Sequence, residues 1–246
     1  MTVGVKPEKP LVRVADAQSV ETALTSRYSV RAFVPTPVPR PLIQRLLELA
    51  SSAPSGTNIQ PWQVYVVTGG ARDRLCERVC AAHERRYQQG AQADSLTPDY
   101  VYYPTDWPAK NLARRRENGW GLYGLLGIQK GEKDKMHRQA QQNYRLFEAP
   151  VGIFVTIDRR MGQGAILESG MFLQALMTAA RAHGLHSCPQ AAWNDFAPLV
   201  RECIGATDEE ILVCGLALGY IDASQKINAF DAGRVPLEEF VVWYED

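Results

Sequence analysis

Two arginines and a hydroxyl at alternate positions carry the first hint of chemistry, in the run Arg27-Tyr28-Ser29-Val30-Arg31. In extended backbone Arg27, Ser29 and Arg31 share one face. Two guanidinium forks and a hydroxyl match a phosphate and its neighbouring acceptors. The second segment is Ala53-Pro54-Ser55-Gly56-Thr57-Asn58-Ile59-Gln60-Pro61-Trp62. Its small residues let backbone come close to a flat ligand, and Ser55, Thr57, Asn58 and Gln60 supply donors and acceptors. Read alone, the first segment is equally an exposed basic strand, and the second a helix-to-strand loop with a capping Asn.

Other chemistries find little support. His83-Glu84 begins like a zincin helix, but Tyr87 stands where the second histidine belongs. His183 and His186 are separated by a helix break, so no metal site is read. There is no G-x-S-x-G elbow and no Walker A loop, and Gly121, Gly124 and Gly127 have the wrong spacing for a dinucleotide fingerprint. Arg114-Arg115-Arg116 reads as a solvated face. Tyr100, Tyr102 and Tyr103 suit a pocket or an interface equally. Lys plus Arg total 27 and Asp plus Glu total 27, so the global basic excess of a non-specific nucleic-acid binder is missing. The five cysteines, Cys76, Cys80, Cys188, Cys203 and Cys214, lack metal-knuckle spacing and read as buried thiols of a cytoplasmic protein. No apolar run approaches the ~20 residues of a membrane span.

The elements that must position these residues follow from periodicity. Helices are expected over Asp16 to Ser26, Pro41 to Ala50, Ala71 to Arg86, 109 to 130, and through Met136, Ala140, Asn143, Tyr144 and Phe147. Residues Trp62 to Thr68 read as a buried strand, and Val151–Ile157 as another. Ala165 to His183 is apolar all round, which requires burial on every side; a second subunit meets that need most easily. A short strand near Leu185–Ser187, a helix Phe196–Ile204 and a strand Ile211–Leu218 complete an α+β pattern. Phe240-Val241-Val242-Trp243 is strand-like and very apolar for a tail. Residues 1–15 read as a flexible arm and 16–246 as one domain.

Together the two chemical segments resemble the nitroreductase family of FMN-dependent oxidoreductases. Two later stretches match as well: Gly184-Leu185-His186-Ser187-Cys188-Pro189-Gln190-Ala191-Ala192, and Asn228-Ala229-Phe230-Asp231-Ala232-Gly233-Arg234-Val235-Pro236-Leu237-Glu238-Glu239-Phe240. The four motifs keep the family's order from residue 27 to 243. The resemblance implies a central, mostly antiparallel sheet wrapped by helices. It also implies an intertwined homodimer with an exchanged C-terminal strand, residues 221–246 crossing to the partner subunit. Arg27, Tyr28, Ser29 and Arg31 correspond to phosphate and flavin-edge contacts, joined by Arg234. Pro54, Ser55, Gly56 and Asn58 would reach the flavin from the other subunit. Pro189, Gln190, Ala191 and Ala192 would lie along the isoalloxazine, with a backbone N–H near N5, where hydride arrives. Gln142 or Asn143 is the polar contact to the pyrimidine. Ala232 departs from relatives that carry a basic or hydroxyl residue there.

The resemblance further implies an NAD(P)H-dependent enzyme that passes hydride through FMN to nitroaromatic or quinone-like acceptors in ping-pong fashion, with NADPH or NADH as donor. No side chain is assigned as catalytic, because the flavin carries the electrons. Tyr102, Tyr103 and Trp107 of an insertion over 87–128, with Phe230, are the substrate-side candidates, and part of that stretch is similar to a nitrobenzoate-reducing subgroup. A reductive dehalogenase, an enone reductase or a flavin-fragmenting enzyme of the same fold, and a flavin-binding module without turnover, are the alternatives.

Overall fold

The computed structural model describes residues 15–90 and 92–245; the expected arm over 1–15 lies outside them but for Ala15. Four strands pair antiparallel in the order β1-β2-β4-β3: β1 Gln63–Thr68, β2 Val151–Asp158, β3 His186–Gln190 and β4 Glu210–Gly219. The helices are α1 Ala17–Thr25, α2 Arg40–Ala50, α3 Gly69–Gln89, α4 Ala109–Leu125, α5 Lys133–Gln141, α6 Gly162–Ala182 and α7 Ala197–Ile204.

Asp16 caps α1 by accepting from the Ser19 N–H at 2.8 Å. Pro41 sits in the first turn of α2, where its missing N–H costs nothing. Strand β2 is buried on both faces and splits the core. Val151, Ile153 and Val155 pack with Ile43 and Leu46 of α2 and Phe172 and Leu176 of α6. On the other face, Phe154 packs with Trp193, Phe196 and the apolar residues of α3 and α7. That second face is tight: a Cβ on Gly152 would stand 2.7 Å from Leu146 Cδ1, so only glycine fits.

Three expectations change. Strand β1 is not buried: it forms a sheet edge, and Val66 is 40% exposed. The helix expected through Phe147 ends at Gln141, and a 3-10 segment over Gln142–Glu148 follows, with Leu146, Phe147 and Glu148 at positive φ. The apolar side chains there needed to reach the core, and the helical path would not deliver them: Leu146 and Phe147 are buried against it. Phe240–Trp243 forms no strand within the chain; Phe240 is 66% and Trp243 72% exposed. Likewise α6 shows one apolar face to the outside, Leu167 being 65% exposed.

Residues 92–108 lack helix and strand, and polar contacts hold the part from Asp94 to Tyr100. Asp99, nearly buried, pairs with Arg201, accepts from the Leu212 N–H at 2.8 Å and lies 3.2 Å from Arg159. Tyr100 donates to Val213 O at 2.6 Å, and Arg86 pairs with Asp94 at 2.7 Å. No described helix is long and apolar enough to cross a membrane.

Candidate functional site

The Arg27–Arg31 segment runs along β3, with Ser29 bridging Ser187 in parallel and the Val30 N–H donating to Ser187 O at 3.2 Å. Val30 is fully buried, so its neighbours Ser29 and Arg31 are turned the other way. Asn228 then ties the chain's last motif to this segment. Its Oδ1 accepts from the Arg31 N–H at 2.8 Å, and its amide donates to Ala32 O at 2.8 Å and Asp222 O at 2.9 Å. Two residues beyond Asp231, Gly233 turns at φ +60°, its N–H held by Asp231 Oδ1 at 2.8 Å, and Arg234 follows.

The result is a cavity of about 820 Å³ that gathers Arg27, Tyr28, Ser29, Arg31, Phe230 and Arg234. None of its three guanidiniums pairs with a carboxylate among the described residues. Cations brought together without counter-ions favour an anion between them. Asp231 lines the same cavity but is turned into the Gly233 bend. Beneath the segment, burial pushes the Cys188 thiol up to about 11, so it stays protonated and is no nucleophile.

Arg31 also lines two neighbouring cavities, one with Gln142 and one with Asn143. The Asn143 amide already donates to Ala140 O at 3.0 Å, whereas Gln142 makes no side-chain hydrogen bond among the described residues. Gln190 spends its side chain internally, donating to Asn143 O at 2.7 Å and accepting from the Trp193 indole at 3.3 Å. Pro189 is exposed at the end of β3, and Ala191 and Ala192 are half-buried. Tyr102 and Tyr103 stack edge to face at 4.6 Å, and Tyr103 lies 5.2 Å from Trp107. Phe230 rests on α4 at Gly121, where a Cβ would come within 2.9 Å of its ring.

Pro54, Ser55, Gly56 and Asn58 do not join the Arg27–Arg234 cavity within one chain. Their loop is strained and fixed: Thr57, Asn58 and Gln60 all have positive φ, and Ser55 Oγ accepts from the Gln60 N–H at 2.9 Å. Glu168 of α6 holds it, accepting from the Gly56 N–H at 2.7 Å, while its other oxygen is buried without a partner. Sequence reading missed Glu168 and the strapping role of Asn228. A carboxylate inside a helix carries no spacing signal, and Asn228 was visible only as part of its motif.

An antiparallel sheet flanked by helices, with three guanidiniums gathered from both ends of the chain and without carboxylate partners among the described residues, defines an α+β protein with a cavity suited to an anion. The model described as the nitroreductase family matches residues 24–220, and the chain belongs to that family. It is 34% identical over 241 residues to a 4-nitrobenzoate reductase of Nocardioides sp. (strain LMS-CY), covering 97% of this chain and 96% of that protein. It resembles the crystal structure of the FMN and NADPH-dependent nitroreductase NfnB from sphigopyxis sp. strain HMH at TM-score 0.86 and 39% identity, over 92% of this chain and 99% of that one. The FMN-dependent nitroreductase NfnB from Mycobacterium smegmatis, solved in complex with NADPH, also superposes at TM-score 0.86, with 32% identity over 93% and 99% of the two chains.

Proposed function

We propose that this chain is an FMN-dependent oxidoreductase that uses NADPH or NADH to reduce nitroaromatic or quinone-like acceptors by a ping-pong scheme. The observation that carries this is the cradle of Arg27, Arg31 and Arg234, three guanidiniums without carboxylate partners, in a chain of the nitroreductase family. The residues fit the cofactor. Its phosphate needs converging charge-assisted donors, and its flat ring suits the stretch Pro189–Ala192, where Pro189 is exposed and Ala191 and Ala192 are half-buried. Bound there, FMN supplies hydride transfer at N5 between a nicotinamide donor and the acceptor.

The chain's own part is positioning. Arg27, Arg31 and Arg234 hold the phosphate, and Tyr28 and Ser29 meet the ring edge. The Gln190 side chain is committed to Asn143 O and the Trp193 indole, so Pro189, Gln190, Ala191 and Ala192 would meet the isoalloxazine of a bound FMN through backbone, which would supply an N–H donor for N5. Gln142 is the freer amide for the pyrimidine, with Asn143 on the other side of Arg31. Tyr102, Tyr103, Trp107 and Phe230 belong to the acceptor side.

The working unit is a cytoplasmic homodimer, each subunit a single domain over 16–246. Three features of one chain support this. The exposed face of α6 opens an apolar cavity of about 890 Å³ with Val20, Leu49, Leu167 and Met171. The edge of β1 flanks a groove of about 1060 Å³ lined by Phe33, Val38, Ile43, Leu47 and Val66. The tail carries Phe240, Val242 and Trp243 uncovered. Residues 221 to 239 stay packed on their own chain, so it is the apolar tail from Phe240 that crosses to fill the groove, and the 53–60 loop completes the partner's flavin site.

An anaerobic absorbance titration of the purified protein with NADPH, then with a nitroaromatic, tests the reading. A bound flavin that bleaches and then recovers its colour is expected. A flavin that NADPH leaves oxidised would leave only a binding module.

A further inference from the structure

Resting on the reading above, we propose that Glu168 is a positioning residue for the flavin of the partner subunit: its carboxylate sets the 53–60 loop in the shape that completes the neighbouring site. The backbone creates the need. Thr57, Asn58 and Gln60 all stand at positive φ, a conformation that non-glycine residues hold only when their surroundings impose it. The loop's remaining bonds are internal. The Gln60 N–H donates to Ser55 Oγ and the Gln60 side-chain amide to Asn58 O, while residues 56–59 are exposed. Among the described residues, the bond from the Gly56 N–H to Glu168 Oε1, at 2.7 Å, is the one hydrogen bond that ties residues 55–60 to another part of the chain.

Both ends of that bond are fitted to it. Gly56 lacks the Cβ that would stand 3.0 Å from the same carboxylate oxygen. Glu168 rises from α6 between Ala165 and Phe172, three residues before and four after it on the same face and both buried, so the core fixes its base. Its second oxygen is buried without a partner. Burying an unpaired carboxylate oxygen costs stability, and an alanine would avoid that cost, so the residue is explained by what it holds and not by a gain to the fold. The surroundings show which flavin the loop serves. Leu167 and Met171, beside Glu168 on α6, are exposed, and Ser52, just before the loop, lines one apolar cavity with them. The loop therefore leaves its chain at the rim of the uncovered α6 face, away from the Arg27–Arg234 cavity of the same chain, which Pro54–Asn58 do not line.

The test measures FMN affinity, by quenching of flavin fluorescence, in Glu168→Ala, Glu168→Asp and Glu168→Gln. Alanine removes the acceptor, and aspartate keeps the charge but is one methylene short. Each should weaken FMN about tenfold or more. Glutamine keeps a carbonyl oxygen at the same reach and should stay within about threefold of the parent. Mixed dimers with Glu168→Ala in one chain and Arg234→Ala in the other, isolated through two different tags, then locate the effect. If Glu168 serves the partner's flavin, both lesions fall on one site and the other site is intact. The mixed dimer should then bind one FMN as tightly as the parent, which neither altered homodimer does. A merely structural role would leave no such intact site. Full affinity in Glu168→Ala overturns the proposal; should that chain not fold, full affinity in Glu168→Asp does. A glutamine variant as weak as alanine overturns the hydrogen-bond route, and a mixed dimer without a tight site overturns action across subunits. Failure of the underlying reading looks different: bound FMN that NADPH leaves oxidised strikes the oxidoreductase assignment, while the affinities still decide the role of Glu168.

Discussion

Asn228→Ala should uncouple the cradle from the rest of the fold. The side chain is 7% exposed and makes three hydrogen bonds of 2.8, 2.8 and 2.9 Å to the Arg31 N–H, Ala32 O and Asp222 O. Each is worth about 0.5–1.5 kcal/mol net, so their loss removes about 3 kcal/mol. In a domain of this size that corresponds to a fall in Tm of roughly 6–12 °C. The loss also releases the chain leading to Arg234 from the backbone that carries Arg31. FMN affinity should therefore fall by about tenfold or more, beyond what destabilisation alone produces. Differential scanning calorimetry gives the first quantity, and quenching of FMN fluorescence on binding gives the second. Tyr65→Phe, which loses a hydrogen bond to Glu210 at the remote sheet edge, is the control and should lower Tm slightly without weakening FMN. A large fall in Tm with unchanged FMN affinity in Asn228→Ala would refute the strapping role, and an unchanged Tm would refute the hydrogen-bond accounting.

Arg27→Ala and Arg234→Ala should each weaken FMN by a charge-assisted contact, about 1.5–3 kcal/mol, measured by the same quenching assay; undiminished affinity in both removes the phosphate assignment. Gly215→Ala should cost about 1–3 kcal/mol by overpacking, because the new Cβ stands 3.0 Å from Trp193 Nε1 and 3.1 Å from Phe154 Cε1; urea unfolding that shows no loss would contradict the tight face. Stability should decline as pH falls from about 6.5 to 4. Burial, reinforced by His137 at one site and Arg181 at the other, pushes the imidazoles of His83 and His186 down to about 4. The unfolded chain therefore binds more protons in that window, and acid favours it. Thermal scans across the window should flatten in a His83→Gln, His186→Gln double variant, and an unaltered slope would discount both groups.

How much of this was legible in the sequence depends on whether a residue's role is local. Helices α1, α2, α6 and α7 and strands β2 and β4 emerged within a few residues, because each buries a periodic face that the sequence displays. The turn at Gln142–Glu148 did not, because Leu146 and Phe147 reach the core only through left-handed backbone, a tertiary demand that overrides the helical pattern around them. The site divides the same way. The alternation of Arg27, Ser29 and Arg31 shows their shared face directly, but their lack of counter-ions is a fact of three dimensions. Arg114, Arg115 and Arg116 look alike in sequence; only Glu239, arriving from the far end of the chain, neutralises the first and leaves the other two charged. The edge strand was misjudged for an instructive reason. Val64, Val66 and Val67 are as apolar as a buried strand should be, yet within one chain β1 has a single neighbour and Val66 stands open. An apolar tail that finds no strand of its own and an apolar edge that finds no cover are the same discrepancy seen from two places. Joining them across two subunits, as proposed above, would satisfy both patterns without changing either.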